Sequence, residues 1–287
     1  MYTFAKESHR ASFLFFFEFI EFTYILHRRN KYLTYPILKE GAMLMNEIKS
    51  NNTFERIEKK YLLSSKDYDL LKNRLLPYMK MDQYGLHTIC NIYFDTENYE
   101  LVRNSIEKPV YKEKLRLRSY GVPTGNSKVF LEIKKKYKGI VYKRRVSITL
   151  EEAVRYLGHG IKPAIDNQIL REIDYFIHFY KPIPKVYLAY DRIALYGITD
   201  PDIRITFDQN IRSRLTDLDL SKGDYGKYLL DQSNVLMEIK VPAAYPLWLA
   251  NILSDLRIYP ASFSKYGNVY KENLLEERNE SLCLQAL

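Results

Sequence analysis

Cysteine is scarce in this chain of 287 residues, which carries only Cys90 and Cys283. Two thiols so far apart build neither a disulfide framework nor a CxxC metal site, and the scarcity fits a reducing cytoplasm. A long apolar run is also missing. The most apolar stretch, residues 12–26, is interrupted by Glu18 and Glu21, and it falls short of the roughly 20 apolar residues of a spanning helix. It does not read as a signal peptide either, because His27-Arg28-Arg29-Asn30-Lys31 follows it where a small-residue cleavage site belongs. There is no internal repeat, no low-complexity linker and no recognised nucleic-acid motif. Acidic residues are the minority charge, with 35 Asp and Glu against 44 Lys and Arg, giving a net +9.

An excess of positive charge points to a polyanion, whether nucleic acid, an anionic membrane surface or a phosphate-rich ligand. Where the charges sit must decide among them. The chain is long enough for one large core, and 46% hydrophobic with 28% charged residues suits an ordinary globular domain. Residues 1–48 are expected to be an extension outside that domain, disordered or not natively translated. Lys39-Glu40-Gly41 could be encoded by AAGGAGG, a ribosome-binding sequence, with Met43 and Met45 at a suitable distance as the start. Mass spectrometry of the native protein checks this, and an intact peptide from residues 1–40 overturns it. The folded domain is expected over 49–278, followed by a tail over 279–287.

From residue 54 the pattern becomes period-2 alternation, the signature of strands with two unlike faces. Eight strands are predicted: 54–63, 87–95, 111–120, 128–138, 140–148, 186–197, 202–210 and 234–241. Helices are predicted at 65–79, from Thr149 onward, and over 165–180, 243–257 and 266–277; Ser64 with Asp67, and Thr149 with Glu152, are spaced as capping boxes. The expected fold class is α+β.

The charges alternate within the strands. Arg56, Glu58 and Lys60 share a face, as do Lys114, Arg116 and Arg118; Glu132, Lys134 and Lys136; Lys143 and Arg145; Arg204, Thr206 and Asp208; and Glu238 with Lys240. Arg192 follows Tyr190 in the same way. A sandwich with a basic outer face explains any one strand. Repetition over seven strands, with helices available to cover the apolar side, favours an eight-stranded closed antiparallel barrel with helices packed outside and the charges inside. A lumen full of Lys and Arg is costly when dry, so it is expected to hold water, polyanions and metal ions. His87, His159 and His178 are expected to be structural or exposed.

Arg56-x-Glu58-x-Lys60-Tyr61, Lys114-x-Arg116-x-Arg118, Glu132-x-Lys134, Tyr190-Asp191-Arg192, Glu238-x-Lys240 and Ser262-Phe263-Ser264-Lys265-Tyr266 together resemble the VTC domain. That is the polyphosphate polymerase domain of the vacuolar transporter chaperone complex and its bacterial relatives, within the CYTH-like or triphosphate tunnel metalloenzyme superfamily. The resemblance spans roughly residues 53–275. It implies an eight-stranded tunnel in which the terminal phosphoryl group of ATP passes to a growing polyphosphate chain with Mn²⁺ or Mg²⁺. Lys60, Arg116, Arg118, Lys134, Arg192, Arg204 and Lys265 would contact phosphates, with Arg56, Lys114, Lys143, Lys240 and Ser264 as further phosphate-binding positions. Glu238 would hold the metal. The superfamily's hydrolases and cyclases usually begin Glu-x-Glu-x-Lys, and Arg56 replaces the first Glu, which weakens a two-metal hydrolase and favours a longer anion.

The expected partners are thus ATP and inorganic polyphosphate, with a separate membrane protein for export, and no nucleic acid. The expected location is cytoplasmic, at the inner face of the membrane if such a partner recruits it. A tunnel triphosphatase and a non-catalytic polyphosphate sensor stand as the alternatives.

Overall fold

The alternation becomes the pleat of a single antiparallel sheet. The computed structural model describes residues 57–273 apart from residue 139. In chain order these form β1 (Ile57–Ser64), α1 (Ser65–Leu75), β2 (Met79–Met81), β3 (His87–Asp95), α2 (Glu100–Glu107), β4 (Tyr111–Tyr120), β5 (Lys128–Tyr137) and β6 (Ile140–Thr149). There follow α3 (Leu150–His159), α4 (Gln168–Tyr180), β7 (Ile183–Gly197), β8 (Arg204–Arg214), β9 (Lys227–Tyr228), β10 (Asn234–Val241) and α5 (Leu247–Asp255). A last helix, α6, begins at residue 265 and is described to residue 273. The expected extension 1–48, Arg56 and the tail 279–287 lie outside the described residues. No described helix is long and apolar enough to cross a membrane.

All eight expected strands form, and two short ones, β2 and β9, were not foreseen. The strand order is β1-β10-β8-β7-β3-β4-β5-β6, with β2 on β7 and β9 on β8. The expected closed barrel is corrected here: β1 and β6 end the order and do not pair with each other. The segment after α5 lies along β1 instead, where the Ala261 N–H donates to the Lys60 carbonyl at 2.7 Å. The sheet is nevertheless strongly curled. Lys60 on β1 and Lys134 on β5 are six strands apart in the order, which in a flat sheet means about 29 Å, beyond the reach of a screened charge. Yet Lys134 contributes to the electrostatic environment of Lys60, and Lys60 to that of Lys114.

Pleating sorts the side chains onto two faces. On the convex face α3 and α4 cover Ile92, Leu115, Leu117, Leu131, Ile133 and Val146, and α1 and α5 cover Leu63, Ile205, Phe207, Met237 and Ile239. Three of these helices, α1, α3 and α4, start at side-chain caps. Ser64 accepts from the Asp67 N–H, Thr149 and Glu152 form a reciprocal capping box, and Asn167 accepts from the Leu170 N–H. Each cap satisfies backbone donors that a helix start leaves without partners.

The expectation that the helices lie outside needs a second correction. Tyr266, Val269 and Tyr270 of α6 cluster with Ile89, Leu188, Tyr190 and Leu236. Those strand residues share the face of Asn91, Arg192 and Glu238, because side chains two apart point the same way. Thus α6 sits on the concave, charged side, where apolar positions at one part of each strand give it a seat.

Candidate phosphate-binding site

The concave face gathers most of the charges expected to meet there. Register makes the arrangement: Arg116 of β4 is directly opposite Glu132 of β5, which is opposite Arg145 of β6, and the next row is Lys114, Lys134 and Lys143. Arg116 donates from Nε to Glu132 Oε2 at 2.8 Å and from Nη1 to Tyr93 Oη at 3.0 Å. Arg118 donates from Nε to Asn91 Oδ1 at 3.0 Å and from Nη2 to Tyr190 Oη at 3.3 Å, and its Nε is 3.8 Å from Glu132. Lys143 Nζ is 3.3 Å from Glu132 Oε1. Three cations thus share one carboxylate, whose side chain is only 2% exposed. Burial alone would raise the Glu132 pKa, but Arg116, Arg118 and Lys143 outweigh it and hold the group down at about 2.

A second cluster joins β7, β8 and α6. Arg192 grips Asp208 with both Nε (2.6 Å) and Nη2 (2.8 Å), and Lys265 Nζ reaches Asp208 Oδ2 at 2.5 Å. Burial works against ionising Asp208, yet Lys265 and Arg192 keep it far below the usual carboxylate range. The Tyr190 ring lies under both cations, 5.1 Å from the Arg192 guanidinium and 4.5 Å from Lys265 Nζ. Lys265 opens α6, and Ser264 caps it by accepting from the Gly267 N–H at 3.2 Å. Glycine at 267 eases that approach, since a Cβ there would stand 3.0 Å from Ser264 Oγ and the serine would have to shift. The Ser264 hydroxyl thus accepts from the backbone, and its own proton remains to donate.

On β1 and β10, Glu238 pairs with Lys240 at 2.5 Å and lies 3.9 Å from Lys60. Lys60 Nζ also donates to the Phe263 carbonyl at 3.1 Å. Burial lowers the Lys60 pKa, against the pull of Glu238. Arg204 faces Lys240 in register but is exposed at the rim and is not drawn into the clusters. Of the carboxylates drawn into these clusters Glu238 is the most open to a cation, with 11% of its side chain exposed against 2% for Glu132 and 1% for Asp208, while Glu58 on the same face of β1 is exposed. Among the described residues no three His, Cys, Asp or Glu groups converge as a metal site. The donor set thus fits an ion held by one carboxylate and mainly by phosphate oxygens and water, as hard divalent cations are at nucleotide sites.

Tyr93, Asn91, Tyr190, Glu132 and Asp208 hold the cations in place; Glu132 and Tyr190 stood in the sequence motifs and Asp208 on a charged strand face, but none of the five was expected to be a phosphate or metal contact. Asn91 and Tyr93 were legible as alternating polar positions in His87–Asp95. The bulge that sets Asp191 beside Arg212, and the Asp224 pairing of Arg212, had no local signal. Of the histidines, His159 and His178 are exposed, and His87 is half-buried with Nδ1 3.0 Å from the Gly85 carbonyl.

A family profile described as the VTC domain matches residues 55–272, the whole sheet and the helices on both its faces. The chain belongs to the VTC domain family. No curated protein matches it. Among solved structures, this VTC domain is similar to a candidate adenylate cyclase from Bacillus halodurans, with 16% identity and a TM-score of 0.48 over 73% of this chain and 93% of that one. It is also similar to a candidate adenylyl cyclase from Hippeastrum, described as revealing a dominant triphosphatase activity, with 17% identity and a TM-score of 0.44 over 76% of this chain and 96% of that one. A third is the RNA triphosphatase domain of the mimivirus mRNA capping enzyme, at 8% identity and a TM-score of 0.32 over 76% and 95% of the two chains.

The VTC domain's lysine-rich rows carry a pH prediction. Burial lowers the Lys114 pKa, the Tyr93 phenol opposes this, and Lys134, Lys112 and Lys60 push it further, to about 8. Burial similarly brings Lys143 to about 8, although its side chain is 44% exposed and so held less firmly. A bound polyanion favours the charged lysines, so binding takes up protons, and affinity for tripolyphosphate is expected to fall as pH rises through about 8. Calorimetry in two buffers of different ionisation enthalpy measures the uptake, and a buffer-independent heat overturns it. Without ligand the sign reverses. Between the folded value of about 8 and the unfolded value of 10.5 the unfolded chain binds more protons at Lys114, so this group makes the empty protein more stable as pH rises.

Proposed function

We propose that this VTC domain is a polyphosphate polymerase that passes the terminal phosphoryl group of ATP to the end of an inorganic polyphosphate chain on its concave face. One observation carries the reading. Lys114, Lys134 and Lys143 stand directly opposite one another across three strands, next to Arg116 and Arg118, and Glu132 is the sole carboxylate of β4, β5 and β6 that points to this side. Like charges placed opposite each other destabilise a sheet, and a phosphate chain removes that repulsion along its length.

Phosphoryl transfer asks the protein for alignment and for charge on the equatorial oxygens rather than for covalent chemistry. A terminal oxygen of the acceptor chain attacks the γ-phosphorus, a new P–O bond forms, and the bond to the β-phosphate oxygen breaks to release ADP. The acceptor is already ionised, so no general base is required. Arg116, Arg118 and Arg192 supply planar forks for phosphate oxygens, and Lys60, Lys134 and Lys265 supply point charges. Lys240 and Arg204 stand at the rim. Glu238 would hold the divalent ion, which when bound withdraws charge from the leaving diphosphate. ATP supply places such an enzyme in the cytoplasm.

The test is incubation with ATP and Mn²⁺ or Mg²⁺, with products resolved on a gel. A polyphosphate ladder with ADP is expected. Orthophosphate alone means a triphosphatase, and unchanged ATP with tight binding means a sensor. Glu238→Gln is expected to remove activity and its metal dependence together, read as a flat response to added Mn²⁺ at a small residual rate.

A further inference from the structure

One nucleophilic group among the cations has no part in the transfer from ATP to a chain end. Tyr93 on β3 stands directly opposite Arg116 on β4, and Arg116 Nη1 donates to its oxygen at 3.0 Å. The ring is stacked on Tyr266 of α6, with centroids 5.0 Å apart and planes at 24°, which fixes the direction of the hydroxyl. Its partner on β7 is Val186, whose side chain is apolar. Among the described residues nothing accepts the phenol's own proton. Burial alone would raise the Tyr93 pKa, but Arg116, Lys114 and Arg118 outweigh it and bring the group down to about 7. Much of it is then an oxyanion at neutral pH, the form in which a phenol is nucleophilic.

The other hydroxyls on this face are worse placed. Tyr190 accepts from Arg118 but is only 3% exposed beneath Arg192 and Lys265, and Ser264 caps α6. Tyr93 is half-buried, and it shares an amino group with any phosphate that Arg116 binds. Two acceptors on one guanidinium nitrogen stand about 5 Å apart, so the phosphorus of a phosphate on the second Nη1 proton can approach Tyr93 Oη to about 4 Å, close to attacking distance.

We propose that Tyr93 is a self-phosphorylation site: when no chain end is present as acceptor, the γ-phosphoryl group of ATP passes to the Tyr93 oxygen, and the phosphotyrosine stays on Arg116, Arg118 and Lys114 and blocks the face to polyphosphate. The phenolate oxygen bonds to the γ-phosphorus, the bond to the β-phosphate oxygen breaks, and ADP leaves with the electron pair. A phenol still protonated gives its proton to water. The product adds close to two negative charges and three acceptor oxygens opposite an arginine cluster, the setting in which a phosphorylated side chain is held firmly. This deepens the polymerase reading and rests on it for ATP as the donor.

The full chain is incubated with γ-labelled ATP and Mn²⁺, with and without tripolyphosphate, and the protein is then analysed by denaturing gel and peptide mass. Label that survives acid and alkali and maps to Tyr93 is expected, with about tenfold less of it when tripolyphosphate competes as acceptor. After incubation with ATP alone and removal of nucleotide, calorimetric affinity for tripolyphosphate is expected to be weaker by about tenfold or more. Tyr93→Phe is expected to take no label and to keep its own starting affinity through the same incubation. Arg118→Ala should also stay unlabelled; label there points to a contaminating kinase and overturns self-phosphorylation. An unlabelled protein, label only on another residue, or a phosphorylated protein of unchanged affinity also overturns the proposal. If Tyr93→Phe does not fold, the position of the label and the affinity change in the unaltered protein still decide. Chains made by a protein that never takes label leave the polymerase reading standing without this inference, and a labelled Tyr93 with no chains does the reverse.

Discussion

Arg118→Ala is expected to lower phosphoryl transfer from ATP by about three orders of magnitude, the scale of losing one preorganised donor at a charged transition state. The Arg118 side chain is 7% exposed, and its guanidinium is held by Asn91 and Tyr190 on two different strands. In the proposed reaction it would meet a phosphate without having to be ordered at that moment. Arg118→Lys is expected to fall between, since lysine keeps the charge but cannot bond Asn91, Tyr190 and a phosphate oxygen in one plane. Lys60→Ala is expected to follow the same pattern. Steady-state rates are measured beside circular-dichroism melting, so that a folded, inactive protein is told from an unfolded one. An Arg118→Ala protein within about tenfold of the original rate would remove this residue from the site.

The second large effect is on stability. Asp208→Asn should destabilise the protein by about 3 kcal/mol, because removing one partner of a buried ion pair leaves the other charge uncompensated. Here two charges are left, the bidentate Arg192 and Lys265, around a carboxylate that is 1% exposed. For a domain of this size that corresponds to a fall in Tm of roughly 10 °C. The loss concerns α6 in particular, since Lys265 ties that helix to β8. Saturating tripolyphosphate should recover part of it, because a bound anion can take the carboxylate's place. A Tm within about 2 °C of the original would show that Asp208 does not anchor the cluster. The same carboxylate sets an acid limit: with its folded pKa depressed, the stabilisation is complete above the unfolded value of 3.8 and is lost as pH falls toward the folded one.

The strands were legible because one chemical rule governs them locally. In a half-covered strand, charge at every second position points to one wet face, and Lys114, Arg116, Arg118, Glu132, Lys134 and Lys143 follow that rule, while Lys135 and Arg144 on the other face pair with Glu172 of α4. Helix α2 escaped notice for an equally specific reason. Its N-cap, Tyr99, is left-handed and offers no side-chain bond, and the Leu101 and Val102 N–H groups are satisfied by Asp95 from the end of β3. A cap supplied from six and seven residues away leaves no S-x-x-E spacing to read. The barrel expectation failed at its seam for a related reason: which edge a loop will cover depends on where the loop lands, and residues 259–264 land on β1.

By itself, then, the sequence determined the pleat, the sign of the charge on its inner face and the chemistry suited to that face, since period-2 alternation and side-chain type are local properties. Tertiary structure alone decided which cations are neutralised and which are left for a ligand. Glu132 and Lys134 are neighbours in one motif, yet the first is buried among Arg116, Arg118 and Lys143 and the second faces Lys114 and Lys143. Strand register places those charges, and curl brings β1 back toward β5. Both depend on contacts between distant segments, so no stretch of the chain read alone could have shown how the charged clusters are arranged.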